Sequence, residues 1–391
     1  MKIAFLGPVS MEELAARIRF DKAPLKCETE FSLGSDIVRK LVERGHEVYV
    51  ISNNKAVRDA QKFTSPKCEV WLVPARKRVR YTFLALFSKE VALLRNAVRE
   101  IKPDVVFAQW VYHNAYAGLT SGYPCLVVAH DSPWSVFKAF RNLQFLIKAL
   151  YATLFVVPRI RSMTAVSPYI EAEFRKFSRL KDADITIVPN GIELDNNSPS
   201  PIVNTSGRIV MVTEWGRLKN SKTMLLAWRI VHGRHPEWKL TVFGKYMDKN
   251  GAEIWMRTNG LGDLLNGGAI ELRGFATHDA IRQELKSADL FVSPSLEESF
   301  GMVFVEAMSQ GVPCIGGDKS GAVPWVMGDG GVVCDVTKPD KLAECIERVM
   351  GDNALRKRLS EGGVQRVRKM FNIERIVDMY ETKLQSLAGG R

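Results

Sequence analysis

In the stretch EESFGMVFVEAMSQG, residues 297–311, Glu298 and Glu306 stand eight apart with no charge between them. The preceding run ADLFVSPS (288–295) reads as a strand ending near Ser293, followed by a loop from Pro294 to Ser299. A helix then runs from about Gly301 to Gln310, stopped by Gly311 with Pro313 beyond. The first N–H groups of a helix lack partners and its dipole is positive there, so the amides of Phe300, Gly301 and Met302 can cradle a phosphate. Gly301 has no side chain to block the approach. Glu306, more than a turn on, can take both hydroxyls of a ribose, as acids do at other nucleotide sites. Val303, Phe304, Val305, Ala307 and Met308 surround it, so the helix reads as buried on every face and its carboxylate as needing a partner. The bland alternative is a core helix with Glu306 turned to solvent.

A second cluster, EWGRLKNSKT (214–223), follows the strand RIVMVT (208–213) directly. Arg217 and Lys222 there sit at the carboxyl end of a strand, the edge to which the helix at 301 also belongs. Two cations flanking a diphosphate would stabilise it as a leaving group. Alone, two basic loop residues would merely be solvated; the shared edge is what gives them weight. His130 closes another apolar strand, PCLVVAHD (124–131), beside Asp131, where a histidine is either structural or turned to a ligand. DAD (182–184) precedes the strand ITIVPNG and reads as a solvated loop. With no other acidic cluster and no Cys/His pattern of ligand spacing, no metal is expected.

These groups need scaffolds. The 391 residues exceed one ordinary core and suit two domains. Apolar strands alternate with amphipathic helices from KIAFLG (2–7) onward, which implies parallel sheets covered on both faces. Residues 1–192 form one such domain. ELDNNSPSPIVNTS (193–206) is a polar, proline-bearing linker, and the alternation restarts over 207–370. The C-terminus from Asn353 to Leu387 reads as helical. Two such domains in tandem would form a cleft between the carboxyl ends of their strands.

Net charge is +12, and residues 51–100 hold 11 basic against 4 acidic residues. The excess attracts phosphate, lipid or nucleic acid. PARKRVRYTFLALF (74–87) interleaves Arg76, Lys77, Arg78 and Arg80 with apolar residues. It is either a docking segment for anionic lipid or a basic loop leading into an amphipathic helix. VFKAFRNLQFLIKALYATLFVV (136–157), broken by Lys138, Arg141 and Lys148, packs or dips rather than spans. No run suits a membrane span, and MKIAFLGPVS reads as a buried strand, not a secretory signal. The six cysteines, without CxxC spacing, read as reduced core thiols of a cytoplasmic protein. No nucleic-acid motif accompanies the basic residues, so no nucleic-acid partner is expected. The lack of GxGxxG after the first strand argues against a dinucleotide oxidoreductase.

The chain resembles the GT-B glycosyltransferases, specifically glycosyltransferase family 4. The resemblance rests on ERGHEV (43–48), KPDVV (102–106), VVAHD (127–131), AVS (165–167), IVPNGIE (187–193), GRLKNSK (216–222), FVSPSLEESFGMVFVEAMSQGVP (291–313) and FNIERIVDMYETKL (371–384), in the family's order. It implies two Rossmann-like domains facing across a cleft, with the final helix (371–391) crossing back onto the first, acceptor-binding domain. It implies a retaining transfer of a hexosyl unit from a UDP-, GDP- or ADP-sugar, without a cofactor, to a saccharide or lipid-linked acceptor. The place of work would be the cytoplasmic membrane face, in cell-surface polysaccharide or glycolipid synthesis. By position Glu306 would hold the ribose, Glu298 the donor sugar's hydroxyls, and the Ser299–Met302 segment the phosphates. Arg217 and Lys222 would steady the departing diphosphate, and His130 would reach the donor sugar. Gly274 and Phe275 would contact the base. The chain departs from the family in CETEFSLG (27–34), where Gly34 stands without a second glycine, in Thr223 after Lys222, and in Trp325. A non-catalytic nucleotide-sugar sensor on the same fold is the competing expectation.

Overall fold

The chain folds as two α/β units in a computed structural model that describes residues 1–23, 31–77, 85–177, 180–181, 183–194 and 206–390. One unit takes Met1–Glu193 together with Ile373–Arg391, and the other takes Leu194–Asn372.

In the first unit the described strands are β1 (Lys2–Leu6), β2 (Glu47–Asn54), β3 (Gln61–Thr64), β4 (Cys68–Pro74), β5 (Val105–Gln109), β6 (Cys125–Ala129), β7 (Ser162–Ala165) and β8 (Asp184–Ile187). They form one sheet in the order β3-β4-β2-β1-β5-β6-β7-β8. The central strands β1, β5 and β6, KIAFL, VVFAQ and CLVVA, are apolar almost throughout because helices cover both faces of a parallel sheet. One hairpin departs from the expected strand–helix alternation: β3 runs antiparallel to β4, pairing Gln61 with Leu72 and Thr64 with Glu69. Its sequence QKFT is too short and polar to announce a strand. Its place at the sheet's edge, where one side faces water, accounts for that composition.

The C-terminal segment is helical, as expected, and consists of two helices, Asn353–Met370 and Ile373–Gly389. Phe371 ends the first, with its ring against Phe300 of the second unit (5.4 Å). The last helix packs on the helix Ser32–Glu43 and on β5 and β6, with Tyr380 against Phe107 (4.9 Å). Arg44 fastens it by reaching Glu374 (3.0 Å), Asp378 (2.6 Å) and Glu381 (2.8 Å). Of DAD, residue 182 lies outside the described residues; Asp184 is exposed, as expected, but it opens β8 rather than a loop and accepts from Lys383 Nζ (2.9 Å). That pairing between residues 199 apart is invisible to local sequence.

The second unit's sheet contains β9 (Arg208–Val212), β10 (Lys239–Phe243), β11 (Ile270–Gly274), β12 (Leu290–Ser293), β13 (Cys314–Gly317) and β14 (Gly331–Cys334). All are parallel, in the order β11-β10-β9-β12-β13-β14. Trp228, Met224 and Leu225, on the helix Ser221–Arg234, fill the core beside β9 and β10. In both sheets the winding reverses beside the first strand, between β1 and β5 and between β9 and β12. Such a switch point leaves a crevice at the carboxyl ends of the strands.

Gly244, just past β10, lets the exits of β10 and β9 approach closely. Its φ is +132°, and a Cβ there would lie 1.4 Å from the carbonyl oxygen of Thr213, just past β9. Gly244→Ala is therefore expected to destabilise the fold by about 3 kcal/mol or more, since neither strain nor clash can be relieved by a rotamer. Urea unfolding of the two proteins measures it, and a shift within about 0.5 kcal/mol would contradict this account of the loop.

Candidate functional site

At the carboxyl edge of the second sheet, the loop after β12 is pinned from three sides. Leu296 N donates to Leu218 O (2.8 Å), Ala322 N donates to Glu298 O (2.9 Å), and the Ser320 hydroxyl donates to Ser295 O. The first of these bonds ties the loop after β12 to the loop after β9 across the switch point. Gly301 then takes a left-handed conformation (φ +92°) and opens the helix Met302–Ser309. Phe300 turns its buried ring inward, against Trp325 and Phe371. What it offers outward is its backbone. No described residue accepts a hydrogen bond from the amides of Phe300, Gly301 or Met302, as expected of a helix start.

The helix is not buried on every face. Met302, Val303, Glu306 and Gln310 are half-buried, while Phe304, Val305, Ala307 and Met308 are buried. Residues 303, 306 and 310 fall on one side at helical spacing, so the sheet takes one face and leaves an open stripe. Glu306 lies in that stripe and retains 29% side-chain exposure. Enough protein still surrounds the carboxyl that burial raises its pKa, with His278 and Arg282 drawing it back down. His278 Nδ1 is 3.8 Å from Glu306 Oε1. Both side chains stand on the helix His278–Lys286, which the Thr277 hydroxyl caps. More than twenty residues of intervening chain separate each of them from Glu306, which hides such a neighbour from local sequence.

Glu298, expected to meet sugar hydroxyls, accepts from Lys219 Nζ at 2.6 Å. Lys219 is the middle cation of GRLKNSK, between Arg217 and Lys222. Arg217 lies in a tight turn, with Asn220 N donating to both Gly216 O and Arg217 O (3.1 Å each). Lys222 is the second residue of the helix Ser221–Arg234, its Nζ 5.4 Å from the indole centre of Trp255 and 5.9 Å from that of Trp215. Both cations are exposed, and neither has a carboxylate partner among the described residues. Ser299 is half-buried in the loop. Gly274 ends β11 with φ +65° and its N–H donates to Met247 O (3.0 Å), which leaves Phe275 exposed. The carboxyl ends of β11, β10, β9 and β12 thus present Gly274, Phe275, Arg217, Lys222, Glu298 and the 300–302 amides along one edge, with Glu306 on the adjoining helix.

His130 belongs to the other unit, just past β6. Its Nε2 is 2.8 Å from Gln109 Oε1, so the neutral ring donates there and keeps Nδ1 as an acceptor. The rings of Trp110 (4.6 Å) and Phe31 (5.1 Å) flank it. Gln109 closes β5 at that sheet's own switch point, and its buried Nε2 meets no acceptor among the described residues. Next to His130, Asp131 accepts from the Tyr112 hydroxyl (2.9 Å), and burial pushes its carboxyl up to about 6. Burial holds the His130 imidazole neutral, with its pKa lowered to about 3.

A Glycosyltransferase Family 4 model matches residues 35–196 and a Glycosyl transferases group 1 model matches 195–366. The chain carries the two glycosyltransferase domains that these models describe. N-acetyl-alpha-D-glucosaminyl L-malate synthase of Bacillus anthracis is 37% identical over 27% of this chain and 28% of its own length. The lipopolysaccharide core biosynthesis glycosyltransferase LpsE of Rhizobium meliloti is 28% identical over 55% of this chain and 58% of its own. The chain thus spans from about a quarter to under two thirds of these relatives. Among solved structures, Anabaena HepE in complex with UDP superposes with a TM-score of 0.68 at 17% identity, over 99% of this chain and 100% of that one. The expected architecture of two parallel-sheet Rossmann-like bodies, the GT-B class, holds.

The neutral His130 has a consequence for acid stability. An unfolded chain's imidazole takes up a proton near its ordinary value of 6.5, whereas the folded one refuses it down to about 3. Stability therefore rises with pH across that window and is fully present above 6.5. His130→Gln should flatten the slope there by up to about 1.4 kcal/mol per pH unit, one proton's worth. Urea titrations across the window measure it; parallel slopes for the two proteins would show that His130 is not held neutral.

Proposed function

We propose that the chain transfers a hexosyl unit from a nucleotide-diphosphate sugar to a saccharide or lipid-linked acceptor, with retention of anomeric configuration. The observation that carries this reading is the edge of the second sheet. Helix-start amides and two cations, none paired with an acceptor or carboxylate among the described residues, and a half-buried acid stand there on adjacent elements. Amides and cations together suit a diphosphate, and an acid a turn further on suits a ribose diol. That HepE has been crystallised with UDP supports a nucleotide donor. That the Rhizobium relative is named for lipopolysaccharide core biosynthesis supports a surface-glycan acceptor made at the cytoplasmic membrane face.

In this reading the Phe300, Gly301 and Met302 amides hold the phosphates, with Ser299 leading into them, while Glu306 binds the ribose. Gly274 and Phe275 meet the base. Glu298, which already accepts from Lys219, accepts from donor-sugar hydroxyls, and His130 of the first unit has a neutral ring that suits a sugar hydroxyl. The acceptor oxygen bonds to the anomeric carbon on the face from which the diphosphate departs. The bond from that carbon to the diphosphate oxygen breaks, and the leaving diphosphate takes the acceptor's proton. Arg217 and Lys222 stabilise the charge that develops on it, so the proposed step calls on no metal and no protein nucleophile.

Lys222→Ala and Arg217→Ala should each lower kcat by about 10²- to 10³-fold. Glu306→Ala should weaken donor binding by roughly 10- to 100-fold, the loss of a charged two-pronged hydrogen bond. Thermal shifts across UDP-, GDP- and ADP-sugars identify the donor, and NMR of the product's anomeric centre reads retention. Unchanged turnover in all three variants would sink the assignment. Firm donor binding with no transfer across a broad acceptor panel would mean a nucleotide-sugar sensor.

A further inference from the structure

We propose that a helical hairpin of the first unit, residues 133–156, docks on an anionic lipid bilayer through its tip and outer face. The helix Pro133–Phe140 is followed by Leu143–Tyr151, which continues through the turn Ala152–Val156. The corner between them is sharp, with Arg141 left-handed at φ +48°. The inner face is anchored by Ala149, Tyr151, Ala152 and Val156, all buried. The outer face and tip are apolar and in water: Phe140 is 53% exposed, Leu143 71%, Leu150 41% and Leu154 62%. Leu143, Leu150 and Leu154 follow one another at seven and four residues, which sets them on one side. Phe140 stacks on Phe145 at 4.7 Å and so stiffens the tip.

Charge selects the occupant. Residues 132–170 contain no aspartate or glutamate, but they hold Lys138, Arg141, Lys148, Arg159 and Arg161. Lys138 and Arg141 are exposed beside the apolar tip and have no carboxylate partner among the described residues. A second copy related by a two-fold axis would set these cations against themselves. Anionic headgroups neutralise them, while the leucines enter the acyl boundary. The other basic segment, 74–87, is a weaker anchor: Arg76 is bound by Glu90 (2.5 Å), and residues 78–84 lie outside the described residues. No helix among the described residues is long and apolar enough to cross a membrane, so the contact is peripheral.

Co-sedimentation of the full chain with vesicles tests this without reference to glycosyl transfer. Vesicles containing about a third phosphatidylglycerol should bind it, and phosphatidylcholine vesicles should bind far less, with binding weakened by salt. Leu143→Ser with Leu154→Ser should reduce binding at least about 10-fold. Lys138→Ala with Arg141→Ala should reduce it by about five-fold per residue removed. Thermal melting should be unchanged in both pairs, since the altered side chains are exposed. Equal binding to neutral vesicles, or binding that survives the leucine pair, would overturn the proposal. So would a protein complex or dimer that the leucine pair dissolves in a chain without vesicle affinity.

Discussion

Parallel strands all leave a sheet at the same edge, and the second unit depends on holding two of those exits, after β9 and β12, against each other. One backbone hydrogen bond, Leu296 N to Leu218 O, spans them, and the close approach of Gly244 to Thr213 sets the neighbouring exit. The bonds from Ala322 and Ser320 brace the far side. Local sequence could place each loop alone. This crosslinking fixes the 300–302 amides, Glu298 and the Arg217 turn relative to one another along that edge.

That edge is electrostatically incomplete in the chain by itself. Arg217 and Lys222 are two like charges with no carboxylate partner among the described residues, and burial works against the ionised form of Glu306. Such an arrangement lowers stability, and natural proteins tolerate it mainly where a ligand supplies the missing charge and hydrogen bonds. The contrast lies within the same molecule. In the first unit Arg44 meets three carboxylates, and Lys40 and His46 join the same network with Glu374 and Glu381. Each exposed pair contributes little, but the network fixes which face the final helix presents. Matched charges there serve packing; unmatched charges in the second unit are what a diphosphate would fit.

The apolar periodicity made the two sheets legible, because strands covered on both faces must be nearly all apolar. The motif residues were legible because glycine, proline and the paired glutamates carry backbone and charge signals in one short window. The rest was hidden for identifiable reasons. β3 is polar because it lies at an edge. The partner of the exposed Asp184 was hidden because Lys383 is 199 residues away. The helix at 302–309 looked buried all round because composition does not say which face the sheet covers. Lys219 and His278 were passed over because an ion pair depends on where two loops meet, not on either loop's sequence.

The sequence by itself determined the element types, the parallel character of the sheets and the family, since these follow from side-chain periodicity and short motifs along contiguous chain. Tertiary structure alone decided the orientation of Glu306 into an open stripe, the pairing of Glu298 with Lys219 and the neutrality of His130. It also left four large apolar residues of the 133–156 hairpin in water. Each of these depends on distances between residues far apart in the chain and on the water that packing removes, quantities that no local run of residues contains.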